Sequence, residues 1–388
     1  MTSESTSWNS KLVKDVIELR YGKGLKEGER RNGPYTVYGS NGIIGYHDQY
    51  LVEGPGIIIG RKGSVGTVSF SRENFWPIDT TYYIIFKNTE DYTFWFYFLK
   101  TLNLYQMNTH SAVPGLNREN VYNLRIEIPS YPEQKAISKI LSDLDSKIEL
   151  NQQMNKTLES IAQAIFKHWF IDFEFPDENG QPHKSSGGEM VDSEMGEIPK
   201  GWKTGSLDDI IVLKMGLSPR GETYNEIGQG LPLVNGAADF SEENIKPKKF
   251  TTQPTRTCKK GDLLFCIRGT IGNLIYADME YCLGRGVAAI TTKTDYYKEF
   301  AYYVLSFGLE KLIGIATGSV IRGLSKPDIL QFPILLADIS LLKTFHTLIE
   351  PIFLRREFLK KENYSLSLLR DSLLPILMSG KIRIPLEE

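Results

Sequence analysis

The chain lacks the long apolar runs that cross membranes. No stretch of its 388 residues approaches the length of a bilayer span, and its first residues, MTSESTSWNSKLVKDV, do not show the basic-then-apolar pattern of a secretory signal. We therefore expect a cytoplasmic protein without membrane association. The length is sufficient for two or three domains, each with its own core.

Cysteine is scarce and histidine is scattered. The three cysteines, Cys258, Cys266 and Cys282, have no CxxC spacing, and their odd number fits neither a disulfide framework nor a zinc site. None of the five histidines belongs to an HxH or HExxH pair. We expect no metal and no cofactor.

Two catalytic motifs are absent as well. An amino-methyltransferase needs an Asp/Asn-Pro-Pro-aromatic loop to grip a flipped base, and the chain contains no such tetrapeptide. It also contains no GxxxxGKS/T phosphate loop, which excludes an ATP-driven motor. No acid–x–Lys pair forms a convincing nuclease centre. These absences disfavour the hypothesis that the chain is itself a methyltransferase or a nuclease.

Charge of one sign does not dominate the composition. The chain has 45 Lys and Arg and 47 Asp and Glu, for a formal net charge of −2, which argues against a uniformly basic nucleic-acid binder. The charges are unevenly distributed, however. Residues 246–268 carry seven Lys or Arg against one Asp, and residues 174–197 carry seven acids against one Lys. A neutral total can hide a basic face, although both stretches could also be solvated loops.

What the chain does contain is an internal repeat. SAVPGLNRENV (111–121) returns as SVIRGLSKPDI (319–329), and RKGSVG (61–66) returns as IRGTIG (267–272). The offset between copies grows from 194 to 208 residues, so the second copy carries an insertion in its middle. Copies of this length indicate two large modules with a pseudo-two-fold relation, not a solenoid. Four residues near the start of each copy also recur at the same spacing: Trp8, Asp15, Leu19 and Gly22, then Trp202, Asp209, Leu213 and Gly216.

Each module begins with short strands and turns. GPGIIIGRKGSVGTVSF (54–70), DTTYYIIF (79–86) and GDLLFCIRGTIGNLIYA (261–277) are rich in β-branched and aromatic residues with interspersed glycines, which predicts strands. YTFWFYFLKTL (92–102) and KEFAYYVLSFGLEKLI (298–313) are typical of helices. We therefore predict an α+β fold with a mixed β-sheet in each module.

A long helix closes each module. In residues 132–170 the core positions recur with alternating steps of four and three residues, as in a coiled coil, and the positions 208 residues later are mostly apolar. A two-fold relation makes the two helices antiparallel. The register that aligns their midpoints puts Asn151 opposite Asn363. The predicted packing residues are Ile137, Leu141, Ile148, Asn151, Ile165, Trp169, Phe345, Ile349, Asn363, Leu366, Leu373 and Leu377.

The same register pairs Arg356 with Glu159, and Arg370 with Asp143 or Asp145. Pro351 predicts a kink or a restart of the second helix, because proline removes a helical hydrogen bond, and Pro375 raises the same question. The alternative to pairing is that each helix packs alone on its own module. Paired helices would form a strut of fixed length between two heads, which could read two separated DNA half-sites.

Taken together, these segments resemble the specificity subunit of type I restriction–modification systems over nearly the whole chain. The likeness is carried by Trp8 with KLVKDV, the GSVG and GTIG turns, GLNRENVYNLRIEIPSYPEQKAISKIL, the helix ending IFKHWFIDFEF, the join MGEIPKGW and the closing LLPILMSGKIRI. The resemblance implies a non-catalytic protein that binds double-stranded DNA. Two target recognition domains would each read one half of a bipartite sequence.

The resemblance also implies partners. The paired helices would set the length of the unread spacer and dock methyltransferase subunits, two of them, which bind the methyl donor. Restriction–translocation subunits would join the larger complex. We predict boundaries of 1–130 for the first target recognition domain, 131–172 for the central helix, 173–198 for an exposed linker rich in Gly, Ser, Pro and acids, 199–336 for the second domain, and 337–388 for the C-terminal helix and tail.

DNA affinity comes mainly from Lys and Arg at phosphates, and specificity from side chains at base edges. Turns held open by Gly63 and Gly269 could present a backbone N–H to a phosphate, or could be purely structural. Arg118 and Lys326 could contact a phosphate or cap a helix. Because a shared turn cannot carry two different readings, specificity is expected in the divergent middles, residues 26–50 and 220–258. The candidate DNA-binding residues are Lys23, Arg30, Arg31, Arg61, Lys62, Ser64, Arg118, Lys248, Lys249, Arg256, Lys259, Lys260, Arg268, Thr270 and Lys326.

The main alternative is a two-headed coiled-coil scaffold that binds other proteins and no DNA. Co-purification with a methyltransferase subunit and a DNA footprint with two protected patches would distinguish the two hypotheses.

Overall fold

The computed structural model describes residues 8–107, 115–241, 244–318 and 322–385, which form two compact units. Unit 1 combines Met1–Gln153 with Leu359–Glu388, and unit 2 is Met154–Phe358. Each unit therefore contains a part of both long helices. The beginnings of the two repeated segments, Ser111 and Ser319, lie outside the described residues.

Unit 1 is an α+β structure with two main sheets. Its elements are β1 (Asn9–Leu12), α1 (Val13–Val16), β2 (Ile17–Tyr21), β3 (Tyr35–Gly39), β4 (Gly42–His47), β5 (Gly56–Gly60), β6 (Val68–Ser71), β7 (Phe75–Pro77), β8 (Thr81–Phe86), α2 (Tyr92–Thr101), α3 (Arg118–Tyr122), β9 (Arg125–Ile128) and the first part of α4 (Tyr131–Phe166). Strands β2, β8, β5 and β6 form an antiparallel sheet in that order. Strand β3 pairs antiparallel with β4 and parallel with β7, so this sheet is mixed.

Unit 2 has the same plan. Its elements are β10 (Met190–Ser193), β11 (Gly196–Pro199), β12 (Lys203–Ser206), β13 (Ile211–Met215), β14 (Tyr224–Asn225), β15 (Leu231–Val234), β16 (Phe240–Ser241), β17 (Asn244–Ile245), β18 (Lys249–Thr251), β19 (Leu263–Cys266), β20 (Gly272–Tyr276), β21 (Cys282–Leu283), β22 (Val287–Thr292), α5 (Lys298–Ile315), α6 (Lys326–Leu330), β23 (Pro333–Leu336) and part of α7 (Ile339–Met378). The antiparallel sheet β13-β22-β19-β20 repeats the strand order of unit 1. The second sheet, β14-β18-β15-β21, is mixed because β15 and β21 run parallel. The predicted α+β class is confirmed in both units.

The repeated residues have equivalent structural roles. A Cβ added to Gly22 would lie 2.2 Å from the Ile78 carbonyl oxygen, and one added to Gly216 would lie 2.1 Å from that of Gly284, so neither position has room for a side chain. Asp15 accepts a hydrogen bond from the backbone N–H three residues earlier, and Asp209 does the same. The repeat thus preserves the framework of the fold.

In unit 1, the first part of α4 packs against the last part of α7. The buried Asn151 amide donates hydrogen bonds of 2.9 Å to Asn363 Oδ1 and 2.7 Å to Glu362 Oε2. Arg370 donates a 2.7 Å hydrogen bond to Asp145, which decides between the two acids that the sequence left open. The predicted antiparallel register is confirmed at these contacts.

In unit 2, the last part of α4 packs against the first part of α7. Arg356 forms an ion pair with Glu159, and the rings of Trp169 and Phe345 lie 5.9 Å apart. The antiparallel pairing therefore continues in this unit, and neither helix packs alone on its own module. These packing positions are buried or half-buried: Ile137, Leu141, Ile148, Asn151, Ile165, Trp169, Phe345, Ile349, Asn363, Leu366, Leu373 and Leu377.

Pro351 does not restart the second helix, so the predicted restart is wrong, whereas the alternative of a kink stays a prediction. Helix α7 runs without interruption over 40 residues, with Pro351 and Pro375 inside it. The ring of Pro351 is exposed, while Ile349 and Ile352 on either side pack into the core of unit 2. Burial of these apolar neighbours offsets the roughly 3 kcal/mol that an internal proline costs a helix.

The end of α4 and the segment that follows are more structured than expected. A single π-helical turn, Lys167–Ile171, lets the adjacent Trp169 and Phe170 both enter the core. Residues 173–198, expected to be an exposed linker, are exposed for most of their length but contain the β10–β11 hairpin. Phe175 stacks on Trp202 with ring centroids 5.3 Å apart, so an aromatic contact anchors this segment to unit 2.

The buried acid Glu299 in unit 2 leads to a prediction about the stability of the fold. Glu299 on α5 is 1% exposed and lies 2.5 Å from Nδ1 of His346 on α7, and burial raises the pKa of its carboxyl. We expect His346→Ala to cost about 1–3 kcal/mol, because it leaves this buried carboxyl without its partner. Glu299→Gln, the control, should cost less because it removes the buried charge.

The pH dependence of the His346→Ala variant provides a second check. An acid with a raised pKa in the folded state contributes stability at low pH and loses it as the pH rises through that pKa. Urea unfolding should therefore show a larger loss for His346→Ala at pH 8 than at pH 5. An equal loss at both values would contradict the assigned role of Glu299.

Candidate nucleic-acid interface

The two repeated turns of unit 1 contact each other. Lys62 forms an isolated antiparallel bridge with Gly115, and the Leu116 N–H donates a 2.9 Å hydrogen bond to the Arg61 carbonyl. Gly63 has φ 77°, in the left-handed region that favours glycine. The GL segment and the RKG turn therefore form one joint, which explains why both recur in the sequence.

Unit 2 contains the same joint. Arg268 bridges Gly323, the Leu324 N–H donates a 2.9 Å hydrogen bond to the Ile267 carbonyl, and Gly269 again has φ 77°. Arg268 and Thr270 are exposed on this turn. The turns have a clear structural role, and their exposed side chains remain available for contacts.

Arg118 and Lys326 are the first residues of α3 and α6, next to these joints. The helix caps are supplied by their neighbours: Asn117 accepts from the Glu119 N–H at 2.8 Å, and Ser325 accepts from the Asp328 N–H at 3.3 Å. Neither cation therefore caps its helix. Of the two roles that the sequence left open, contact with a phosphate stays a prediction.

In unit 1, two arginines lie against a pair of tyrosines. Cζ of Arg61 is 5.1 Å and Cζ of Arg118 is 5.6 Å from the centre of the Tyr21 ring, and the Tyr82 ring is 5.0 Å from that of Tyr21. We call these four residues the tyrosine–arginine cluster. Burial raises the pKa of Tyr82 to about 12, and its hydroxyl donates to the Leu116 carbonyl at 3.3 Å. Tyr82 therefore brings no charge to the cluster, which carries two arginines.

Of the other candidate DNA-binding residues in unit 1, some make contacts within the fold and others are exposed or half-buried. Arg30 donates to the Ile44 carbonyl at 2.8 Å, and Arg31 pairs with Asp48 at 3.0 Å, so both fasten the segment before β3 to β4. Lys23 and Lys62 are exposed, and Ser64 is half-buried in the turn.

The basic stretch of unit 2 is exposed near the antiparallel sheet. Arg256 donates a 2.6 Å hydrogen bond to the Met215 carbonyl at the end of β13. Lys259 and Lys260 line a cavity of about 260 Å³ together with Lys298, Asp262 and Asp295. Lys249, in β18, and Lys248, just before it, are also exposed.

Within the part of the chain that the structure describes, no helix is both long and apolar enough to cross a membrane.

Comparison with known families identifies the modules. A model of the family described as type I restriction modification DNA specificity domain matches residues 6–160 and, separately, residues 199–339. The chain belongs to this family. The resemblance drawn from the sequence is thereby confirmed.

Individual relatives of this specificity-domain chain agree. The type I restriction enzyme MjaIX specificity subunit of Methanocaldococcus jannaschii is 29% identical over 311 residues, which cover 76% of this chain and 69% of the relative. A second sequence from that organism, named for the enzyme MjaX, is 28% identical over 290 residues, which cover 74% of this chain and 66% of the relative. The matches thus span about two thirds of the length of these relatives.

One solved structure shares the fold of this specificity-domain chain. The crystal structure of a type I restriction–modification S subunit from M. genitalium has a TM-score of 0.67 at 17% identity, covering 97% of this chain and 98% of that chain. At this identity, the likeness is one of fold.

Sequence reasoning missed two members of the tyrosine–arginine cluster in this specificity-domain chain. Tyr21 ends β2 and Tyr82 lies opposite it on β8. A search confined to charged residues passes over them, because their importance comes from strand pairing. The available signal was the aromatic content of DTTYYIIF (79–86), which was used only to predict a strand.

Proposed function

We propose that the chain is the DNA-recognition subunit of a type I restriction–modification complex, and that each unit reads one half of a bipartite double-stranded target. The observation that carries the proposal is the doubling of the specificity domain over residues 6–160 and 199–339. Two units with the same sheet order and different middles can hold two DNA segments through similar joints while contacting different bases.

The chain itself is non-catalytic. Methyl transfer, with its donor, and ATP-driven restriction belong to partner subunits. We expect two methyltransferase subunits and, in the larger complex, restriction–translocation subunits. The names of the M. jannaschii relatives, as specificity subunits of type I restriction enzymes, support this assignment. Because the substrate is DNA inside the cell, the complex acts in the cytoplasm.

The long helices offer surfaces for the partner subunits. In unit 2, Leu354 and Phe358 are exposed one helical turn apart on α7, and in unit 1 Tyr364 and Leu368 are exposed in the same way. Large exposed apolar side chains on a helix mark a protein interface. We assign these two patches to the docking of methyltransferase subunits.

The proposal is tested by methylation mapping. The full chain is co-expressed with the methyltransferase subunit of its own system, and the modified bases of the host DNA are read by sequencing. We expect a bipartite motif, with two short specified segments separated by unspecified bases. A continuous motif would contradict the two-unit reading. A complex that assembles but neither methylates nor protects DNA would favour the scaffold alternative.

The basic stretch of unit 2 makes a prediction of its own. Replacement of Arg256, Lys259 and Lys260 by alanine should weaken DNA binding by the assembled complex and flatten its salt dependence. Each phosphate contact that is lost should lower the magnitude of the slope of log K against log salt by roughly 0.9. Titrations of a labelled duplex at several salt concentrations measure that slope.

A matched control uses three exposed lysines of unit 2 outside the stretch. The variant Lys203→Ala, Lys311→Ala, Lys343→Ala removes the same charge from unit 2 at other exposed positions. It should leave the slope close to that of the wild type. Equal slopes for the two triple variants would remove residues 256–260 from the interface.

A further inference from the structure

We propose that the tyrosine–arginine cluster of unit 1 is a phosphodiester clamp that unit 2 lacks, so that the two units contribute unequally to DNA affinity. This inference rests on the proposed function and deepens it. The clamp consists of Arg61 and Arg118, held on Tyr21.

The arginines are positioned by contacts within unit 1. The Arg61 guanidinium donates a 2.7 Å hydrogen bond to the Asp79 carbonyl, and its backbone carbonyl accepts from Leu116 at 2.9 Å. Arg118 lies 5.6 Å from the Tyr21 ring centre and 5.7 Å from that of Tyr122. Tyr21 itself is 53% exposed, so the site is open to a large ligand. Both cations are therefore ordered before DNA arrives, which lowers the entropy lost on binding.

The charges of the cluster fit an anion. Among the described residues, neither Arg61 nor Arg118 forms an ion pair with a carboxylate, whereas Arg20 and Arg31 of the same unit do. The Nε atom of Arg61 is buried and has no hydrogen-bond partner there. A guanidinium that lies over a ring uses its face for the contact and keeps the N–H donors at its edge for phosphate oxygens. An open cavity of about 340 Å³ is lined by Arg118 together with Tyr21, Tyr82, Asn117 and one acid, Glu119.

The location of the cluster favours phosphate over base. Arg61 lies in the backbone joint that both units share and Arg118 lies next to it, whereas the two half-sites must be told apart by the divergent middles. A contact built on a shared framework is suited to the part of DNA that is the same in every sequence.

In unit 2, three of the four equivalent positions are apolar. Strand pairing places Met215 opposite Ala288 where unit 1 has Tyr21 opposite Tyr82, and Ile267 occupies the position of Arg61. These three residues pack in the core of unit 2, and only Lys326, in place of Arg118, retains a charge. Arg256, which donates to the Met215 carbonyl, comes from the divergent segment and not from the joint. The clamp is therefore specific to unit 1.

The experiment measures the affinity of the assembled complex for a duplex carrying its mapped target, over a range of salt concentrations. Arg118→Ala should weaken binding roughly tenfold and lower the magnitude of the salt slope by about 1, with the same loss on a duplex of unrelated sequence. Lys326→Ala, the matched control in unit 2, should change the slope by much less. Arg118→Lys should keep the slope and lose affinity, because a lysine retains the charge but not the stacked fork.

Several outcomes would overturn the clamp. An unchanged slope for Arg118→Ala would do so, as would equal effects of Arg118→Ala and Lys326→Ala. A change in the mapped methylation motif of Arg118→Ala would show a base contact instead. If Arg118→Ala does not fold, as judged by its melting curve, Arg118→Gln is measured in its place. The proposed function fails separately, when the wild-type complex shows no preference for any bipartite target.

Discussion

Arg356→Ala is expected to destabilise unit 2 by up to about 3 kcal/mol, because it leaves the half-buried Glu159 without its partner charge. The Arg356 side chain is 8% exposed, forms an ion pair with Glu159 and lies 5.7 Å from the centre of the Phe353 ring. The pair sits between the two long helices, where water can replace little of the lost interaction. The loss of stability is measured by urea unfolding. Hydrogen exchange of peptides from α5, which lies in unit 2, reports the unfolding of that unit alone.

The control for this variant removes both charges. Arg356→Met combined with Glu159→Met fills a similar volume without a buried charge, and its stability should be close to that of the wild type. If the double variant is as unstable as Arg356→Ala, the loss comes from packing and not from the unpaired acid. A loss below about 1 kcal/mol for Arg356→Ala would place the pair in the class of weak surface salt bridges.

Phe345→Ala is the second change with a large expected effect. Phe345 is 0% exposed, and its ring lies 4.9 Å from that of Phe170 and 5.9 Å from that of Trp169. Truncation of a fully buried phenylalanine costs about 3–5 kcal/mol through lost burial and the cavity left behind. The same exchange measurement on unit 2 should show this loss, and an unchanged stability would mean that the aromatic cluster does not contribute as its packing indicates.

Phe358→Ala is a matched control on the same helix. Phe358 is 53% exposed, so its truncation should change stability by no more than about 0.5 kcal/mol. The proposed docking patch gives this variant a second readout. Co-purification with the methyltransferase subunit should fall for Phe358→Ala although the chain itself stays folded. If Phe358→Ala co-purifies as well as the wild type, Phe358 does not belong to the docking surface.

The long helices show which contacts a periodic sequence pattern can predict. The four–three spacing of apolar positions, with asparagines near the middle of both helices, was enough to predict the antiparallel partner and the contact between Asn151 and Asn363. The same pattern could not decide between Asp143 and Asp145 for Arg370, because both flank the predicted contact. The restart predicted at Pro351 does not occur, because tertiary burial outweighs the cost of a proline in a helix.

The composition of a segment does not show which contacts its residues make. Residues 173–198 are polar and rich in glycine, yet Phe175 stacks on Trp202 and two short strands pair within the segment. The partner of Phe175 lies far enough along the chain that no window of sequence contains the contact together with its geometry. Likewise, Arg30 and Arg31 were selected for their charge, and their pairing with Ile44 and Asp48 depends on how β4 folds back.

From the order of the residues alone follow two copies of one α+β module, a helix that closes each, and the family to which they belong. These features are repetitive or periodic, so they are visible along one dimension. Folding decided which cations are held in place and which are free to meet a ligand. The tyrosine–arginine cluster exists because β2 and β8 lie side by side and the GL segment returns to the RKG turn. Such neighbours are brought together only by long-range pairing, which no local pattern encodes.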